Sequence, residues 1–183
     1  MLPLSFKEYK DAYPNLSNDE LYQRYISWVS LPYTVTLANE DDISLYISSI
    51  YNDILIKDAM TRKRITDESM LKSVSTFAID NIGSLLSNVR TVEKYLEGFA
   101  ESYFLYKTTR YDIKIFKISQ KYYVANLGLR YFILGRKLGD YGHVLENIVY
   151  LELLRRGYEV YIGKVDEYEI DFVAINNNGR VYI

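Results

Sequence analysis

The sequence has 183 residues, of which 22 are basic and 24 acidic, so its formal charge is −2. It contains twenty tyrosines, one histidine and no cysteine, which excludes disulfides, thiolate catalysis and cysteine-ligated zinc or iron–sulfur sites. No signal peptide and no apolar run long enough to span a membrane is visible, so we expect a cytoplasmic protein without a membrane partner.

Positive charge is concentrated in one segment. Residues 107–137 carry eight basic groups against one acidic group, Asp112, which gives a local charge of +7 between acidic flanks. Such a segment is either an electrostatic footprint for nucleic acid, or a solvated basic face or intramolecular partner for the acidic flanks. The basic side chains of this segment that we select as candidate DNA contacts are Arg110, Lys114, Lys117 and Lys121.

The first third of the chain is predicted to be helical. The runs Ser5-Phe6-Lys7-Glu8 and Ser17-Asn18-Asp19-Glu20 are capping boxes, in which the serine caps an amide and the glutamate reaches back. After Asp41-Asp42, apolar residues recur at spacings of three and four from Ile43 to Leu55, as on one face of a helix. We therefore expect residues 1–64 to form a helical subdomain.

Residues 65–137 have the element order of a winged helix-turn-helix. A helix beginning near Thr66 is followed by a short helical turn at 84–88 and by a helix capped by Thr91. Two β-like runs, at 114–118 and 121–125, then form a predicted hairpin.

In this interpretation the Thr91 helix is the recognition helix and Ser119-Gln120 is the tip of the wing. Lys94 on that helix is a further candidate DNA contact, although acidic side chains surround it on the same helix. Some winged helices bind protein instead, so the element order alone leaves the ligand open.

Residues 138–183 are predicted to be a helix followed by three strands. The helix ends at Gly157, strands follow near 158–162 and 169–175, and Asn178-Gly179 lies in a tight hairpin turn. Alternation on the second strand would place Glu169, Asp171 and Val173 on one face, and Ile170 and Phe172 on the other. The sequence ends four residues into the third strand, so we expect a segment of a longer protein.

Glu146 and Asp171 are the candidate catalytic and metal-ligating residues. A helix glutamate, a strand aspartate, a tight turn and another strand make the layout of a nuclease site in which two carboxylates hold Mg²⁺. The lysine that assists the attacking water would lie past Ile183. The alternative is structural: Glu146 and Asp171 pair with Arg155 or Arg156, or cap backbone amides.

Several runs resemble the C-terminal region of a widespread prokaryotic family of AAA-type ATPases. The runs that carry the resemblance are Leu2 to Tyr9, Gly142 to Asn147, Leu151 to Val160 and Glu169 to Val173. It implies a winged helix followed by a PD-(D/E)xK nuclease-like fold, with Glu146 as the helix acid and Asp171 as the strand acid. Many members of the family lack a complete set of catalytic residues.

The resemblance also implies an upstream ATPase domain in the same chain, and ATP would bind only there. No Gly-x-x-x-x-Gly-Lys-[Ser/Thr] phosphate-binding loop occurs in these residues, so apart from Mg²⁺ at Glu146 and Asp171 we expect no cofactor in them. The expected fold class is α+β: a helical subdomain at 1–64, a winged helix at 65–137 and a truncated restriction-endonuclease-like α/β segment at 138–183.

Three functions follow from these patterns. The first is a non-catalytic DNA- or partner-binding region of an AAA-type ATPase. The second is a Mg²⁺-dependent nuclease domain that uses Glu146 and Asp171. The third is a protein-interaction or oligomerisation module.

Overall fold

The computed structural model describes residues 2–28, 31–86, 90–111, 120–135, 140–165 and 168–183. They form a mixed α+β structure with two small antiparallel sheets, which confirms the predicted α+β class. The α-helices and strands are α1 (Phe6–Ala12), α2 (Asn18–Trp28), α3 (Glu40–Asn52), α4 (Met60–Lys63), α5 (Glu68–Asp80), α6 (Arg90–Glu101), β1 (Leu105–Thr109), β2 (Gln120–Val124), α7 (Leu127–Leu134), α8 (Tyr141–Arg155), β3 (Glu159–Val165), β4 (Tyr168–Asn176) and β5 (Gly179–Tyr182). A 3-10 helix (Pro32–Thr36) and a π-helical segment (Asp53–Ala59) complete them.

Both predicted capping boxes are confirmed. Ser5 Oγ accepts a hydrogen bond from the Glu8 amide at 3.1 Å, and the Glu8 carboxylate accepts one from the Ser5 amide at 2.7 Å. Ser17 and Glu20 exchange the same pair of bonds at 3.3 and 3.0 Å. Because each box satisfies amides that have no partner within the helix, helices α1 and α2 begin where the sequence places them.

Helix α7 lies at the centre of the helical part and was not predicted. It packs against α2, α3 and α5. Asn126 caps it, since its side-chain oxygen accepts a hydrogen bond from the Leu129 amide at 3.2 Å. The first turn, Leu127 to Arg130, is buried on all sides, so the segment lacks the polar face that identifies an amphipathic helix.

Strand β2 pairs with β1 in antiparallel register, from Leu105 opposite Val124 to Thr109 opposite Gln120. The predicted hairpin between 114–118 and 121–125 therefore needs correction: the partner of β2 is β1, while 114–118 lies outside the described residues. Gln120 is a paired strand residue and not a wing tip.

Residues 84–86 form a bend followed by a β-bridge rather than a helix. Leu86 forms a bridge to Gln120, with the Leu86 amide donating to the Gln120 carbonyl at 2.9 Å. The Gly83 amide donates to the Tyr122 carbonyl at 3.0 Å. The predicted helical turn at 84–88 is therefore wrong over the part that the structure describes, because these amides bond to β2.

The two sheets adjoin along one edge. Sheet order is β1-β2 in the first and β3-β4-β5 in the second. Arg110, next after β1, forms a parallel bridge with Ile162, and Thr108 Oγ1 donates to the Val160 carbonyl at 2.7 Å. The strands of the predicted winged helix and of the predicted nuclease-like segment are therefore in direct contact.

Helix α8 links the main apolar clusters. Val144 belongs to a large cluster that includes Ile43 and Phe99, while Tyr150, further along the helix, packs with Tyr123 and Phe172. These clusters contain residues from both sides of positions 64 and 137, and the domain division at those positions stays a prediction. None of the helices in the described ranges is long and apolar enough to cross a membrane.

Candidate functional site

Strand β4 contains a β-bulge at Asp171. In the register with β3, Tyr161 lies opposite Val173 and Gly163 lies opposite Ile170. Two residues of β4, Asp171 and Phe172, therefore face the single residue Ile162, which is the definition of a bulge. Because the extra residue resets the alternation, the side chains on either side of the bulge do not follow a simple period of two.

The bulge corrects the predicted faces of this strand. Phe172 points toward α8, since its ring centroid lies 5.7 Å from that of Tyr123 and 6.0 Å from that of Tyr150. Val173 lies on the opposite face together with Ile170. Val173 therefore does not share a face with Glu169, and Phe172 does not share one with Ile170.

An open cleft between α8 and β4 holds both predicted carboxylates. Its volume is about 560 Å³. Glu146 and Asp171 line it together with His143, Phe172 and Ile183. The helix acid and the strand acid selected from the sequence are thus brought to the same cleft.

Glu146 is engaged by two neighbours on β2. Lys121 Nζ lies 3.0 Å from Glu146 Oε1, and the Tyr123 hydroxyl donates to the same oxygen at 2.7 Å. Lys121 Nζ also lies 2.8 Å from Glu169 Oε1 on β4. The Lys121 side chain is 5% exposed, so its ammonium is enclosed between the two carboxylates.

The electrostatics agree with a fixed ion pair. Burial disfavours the charged form of Lys121, but hydrogen bonds to Glu169 and Glu146 outweigh it, so the pKa of Lys121 is raised above its ordinary value. Burial and the hydrogen bond to Glu146 raise the pKa of Tyr123 far above its usual range, which keeps this hydroxyl a donor. At neutral pH Glu146 therefore faces a cation and a hydrogen-bond donor.

The arginines that the sequence offered as structural partners bind elsewhere. Arg155 Nη1 lies 2.7 Å and Arg156 Nε 2.8 Å from the carboxylate of Glu152, on the same helix. The cation at Glu146 is Lys121, which comes from a strand 25 residues earlier. Glu146 therefore forms a structural ion pair, as the alternative predicts, but its partner is Lys121 and not Arg155 or Arg156.

These residues do not fit a Mg²⁺ site. Glu146 Oε1 already accepts two hydrogen bonds, and His143 Nδ1 lies 4.0 Å from Glu146 Oε2. Asp171 is exposed and makes no ion pair with another described residue. Within the described ranges no group of three or more potential metal ligands occurs. The ammonium of Lys121, 3.0 Å from Glu146 Oε1, repels a divalent cation at this carboxylate.

The candidate DNA contacts are spread over several environments. Lys94 is exposed on α6, with Nζ 3.5 Å from the Arg64 carbonyl oxygen. Arg110 is half-buried beside β1, and its Nε is buried without a hydrogen-bond partner among the described residues. Lys121 is buried in the ion pair. Lys114 and Lys117 lie outside the described residues.

Sequence reasoning missed the shared role of Lys121 and Tyr123. The signal was present, since two residues separated by one position on a strand point to the same face. The basic stretch instead predicts a surface position for Lys121, in the hairpin of the wing. Only the position of Glu146 on the packed helix α8 reveals that this face of β2 is internal.

Two relatives of unknown function match nearly the whole chain. The chain is 36% identical over 204 aligned residues to an uncharacterized protein of Haemophilus influenzae, covering 99% of the chain and 50% of that protein. It is 28% identical to an uncharacterized protein of Methanocaldococcus jannaschii, covering 97% of the chain and 47% of that protein. The chain thus spans about half the length of the curated relatives it matches. No protein-family profile and no solved structure matches it.

Proposed function

We propose that this chain is a non-catalytic, DNA-binding region of a longer AAA-type ATPase. The resemblance to that family extends over most of the chain and is most specific over residues 142–173. Relatives about twice as long as this chain leave room for an ATPase domain. That domain is the partner expected in the same polypeptide, and it would bind the ATP.

A winged-helix arrangement supports DNA as the ligand. Helices α5 and α6 are followed by the β1–β2 pair, and Leu86 between the two helices is bridged to β2. On α6, two of the acidic side chains that offset Lys94 share one ion-pair partner, which cancels one of their two charges. Lys63 Nζ lies 3.2 Å from the carboxylate of Glu97 and 2.7 Å from that of Glu101. The acidic side chains of α6 therefore cancel less of the positive charge of the exposed Lys94 than the sequence alone indicates.

One observation favours DNA binding over DNA cleavage. The ammonium of Lys121 lies between Glu146 and Glu169, so it neutralises the helix carboxylate that a metal-dependent nuclease would use as a ligand. A strand lysine balances the helix acid, so the nuclease-like segment serves as a scaffold. The basic segment that includes the exposed Lys107 then supplies the phosphate contacts.

Fluorescence anisotropy with labelled DNA tests this proposal. Affinity should fall linearly on a log–log plot between about 50 and 200 mM salt, because bound lysines release counterions. The double variant Lys114→Ala/Lys117→Ala should reduce the slope by about 1.5. Lys57→Ala is the matched control, because Lys57 is exposed on a separate helical segment, 2.6 Å from Asp53.

Absence of binding to single-stranded and duplex DNA at the lowest salt would refute the proposal. If the same protein also formed a defined oligomer by analytical ultracentrifugation, the third function, protein interaction, would take its place.

A further inference from the structure

Three tyrosines lie on the face of β3-β4-β5 that points away from α8, here called the outer face. Tyr161 and Tyr182 flank Val173 in the sheet register, so the three share this face. Ile170 shares it as well, because both Ile170 and Val173 approach Gly163 from the same side. Tyr168, two positions before Ile170 on β4, follows by alternation.

Tyr111 completes the group from the end of β1. Its ring centroid lies 5.6 Å from that of Tyr161 in an edge-to-face arrangement. Tyr168 is 80% exposed, Tyr182 56% and Tyr111 38%, so three of the rings present much of their surface to solvent. The outer-face tyrosines, Tyr111, Tyr161, Tyr168 and Tyr182, form an exposed aromatic surface.

A guanidinium group is held among these rings. Arg180 Cζ lies 4.5 Å from the Tyr111 ring centroid, in a cation–π contact. Arg180 Nη1 donates to the Tyr182 hydroxyl at 3.1 Å, and Nη2 donates to the Tyr111 hydroxyl. Because Arg180 is exposed and fixed by two phenols, its planar charge is oriented before any ligand arrives.

Positive charge accompanies these rings through Arg180 on the outer face and, along the chain, through the basic segment. Tyr111 belongs to the basic segment 107–137, with Arg110 directly before it and Lys114 and Lys117 within the next six residues. On the outer face itself, the carboxylate of Glu159 accepts a hydrogen bond from the Tyr161 hydroxyl at 3.1 Å. Exposed aromatic rings and cations are the two elements that proteins combine to bind single strands, the rings stacking on bases and the cations following the backbone.

We propose that the outer face binds single-stranded nucleic acid, with bases stacking on Tyr111, Tyr168 and Tyr182 and a phosphate on Arg180. This inference rests on the proposed DNA-binding function and specifies its ligand. A duplex conceals the faces of its bases, so it reaches the cations but not the rings. Single strands therefore bind more tightly than duplexes of the same length.

The test is anisotropy of a fluorescein-labelled oligothymidylate and of a duplex of equal length. Tyr168→Ala and Tyr182→Ala should each weaken binding of the single strand about tenfold, as loss of one stacking ring does. Tyr168→Phe keeps the ring and should retain affinity within about twofold. Tyr33→Ala is the matched control, because Tyr33 is 54% exposed on the 3-10 helix and packs on Tyr46 of α3.

The outcomes separate the two proposals. If the single strand binds but both alanine variants leave its affinity unchanged, the outer face is not the site, while DNA binding itself stands. Equal affinity for single strand and duplex would likewise overturn the stacking inference alone. If no oligonucleotide binds at low salt, the proposed function fails and this inference fails with it. Thermal melts of each variant show that the exposed substitutions leave the fold intact.

Discussion

Lys121 Nζ on β2 lies 3.0 Å from Glu146 Oε1 on α8, and the exposed fractions of the two side chains are 5% and 13%. This ion pair connects the strand pair β1-β2 to the helix that packs against β3-β4-β5. Glu169 adds a second carboxylate at 2.8 Å. Removing one partner from such a pair leaves a buried charge without compensation, which costs more than the pair itself contributes.

Replacing the lysine should therefore destabilise the fold. We expect Lys121→Met to lower the free energy of unfolding by about 3 kcal/mol, measured by urea denaturation. Adding Glu146→Gln to that variant should recover part of the loss, because the orphaned carboxylate is then neutral. Lys57→Met, which breaks an exposed pair with Asp53, should change stability by less than about 1 kcal/mol. Equal effects of the two lysine substitutions would show that the Lys121 ion pair is not structural.

Asn147 should contribute strongly to stability, because its side chain bonds the backbone of β2 as a neighbouring strand would. It is fully buried on α8, where its side chain accepts from the Val124 amide at 2.8 Å and donates to the Val124 carbonyl at 3.0 Å. Asn147→Leu leaves the amide and the carbonyl of Val124 without a hydrogen-bond partner. We therefore expect the free energy of unfolding, measured by urea denaturation, to fall by about 2–4 kcal/mol. Asn52→Leu, at an exposed helix end, should stay within about 0.5 kcal/mol. A loss at Asn147 no larger than at Asn52 would contradict this role.

The sheet geometry at the bulge can be tested through a glycine. A Cβ at Gly163 would lie 2.8 Å from both Ile170 Cβ and Val173 Cγ2. We expect Gly163→Ala to cost about 1–3 kcal/mol in thermal or urea unfolding, since the neighbouring strand must move. Gly142→Ala is the matched control: a Cβ there meets nothing within 4 Å on a helix, so the change should be neutral or stabilising. If Gly142→Ala lowered the free energy of unfolding more than Gly163→Ala, the register described for β3 and β4 would be refuted.

Local signals in the sequence predicted local structure well. The Ser5 and Ser17 capping boxes set the start of α1 and α2, and a tight turn joins β4 to β5 as expected, although its two loop residues are Asn177 and Asn178 and Gly179 is the first residue of β5. The unsatisfied amides of a helix start and the positive φ of a tight turn need specific nearby residues. Those residues can be recognised without knowledge of the tertiary fold.

Features that depend on distant partners were not predictable in the same way. The bulge at Asp171 arises from pairing with β3, and it moves Phe172 to the α8 face against the alternation of the sequence. Lys121 looked like a surface cation because its two carboxylates come from α8 and β4. Helix α7 carries no amphipathic pattern because its first turn is enclosed by neighbouring helices.

Alkaline pH should weaken the fold through its tyrosines. Burial raises the pKa of Tyr9, Tyr25 and Tyr122 to about 12. Above about pH 10 the unfolded chain loses phenolic protons that the folded chain retains, so the unfolded state binds fewer protons and stability falls as pH rises. The raised pKa of Lys121 acts in the same direction.

Urea midpoints measured from neutral pH to about pH 11 should therefore decline most steeply beyond about pH 9.5. Tyr122→Phe should make the decline less steep. Without this phenol, the folded and unfolded states no longer differ in proton binding at position 122. Tyr33→Phe, at an exposed ring, should leave the curve unchanged. A midpoint that stays constant over this range would show that the buried phenols do not contribute.

The most direct test of the central claim, binding without metal-dependent cleavage, is one anisotropy titration of labelled single-stranded DNA in EDTA and in MgCl₂, followed by a denaturing gel. We predict salt-sensitive binding of equal affinity in both buffers, with the oligonucleotide intact after incubation. Cleavage that requires Mg²⁺ and disappears in Glu146→Gln, or absence of binding in EDTA, would contradict it.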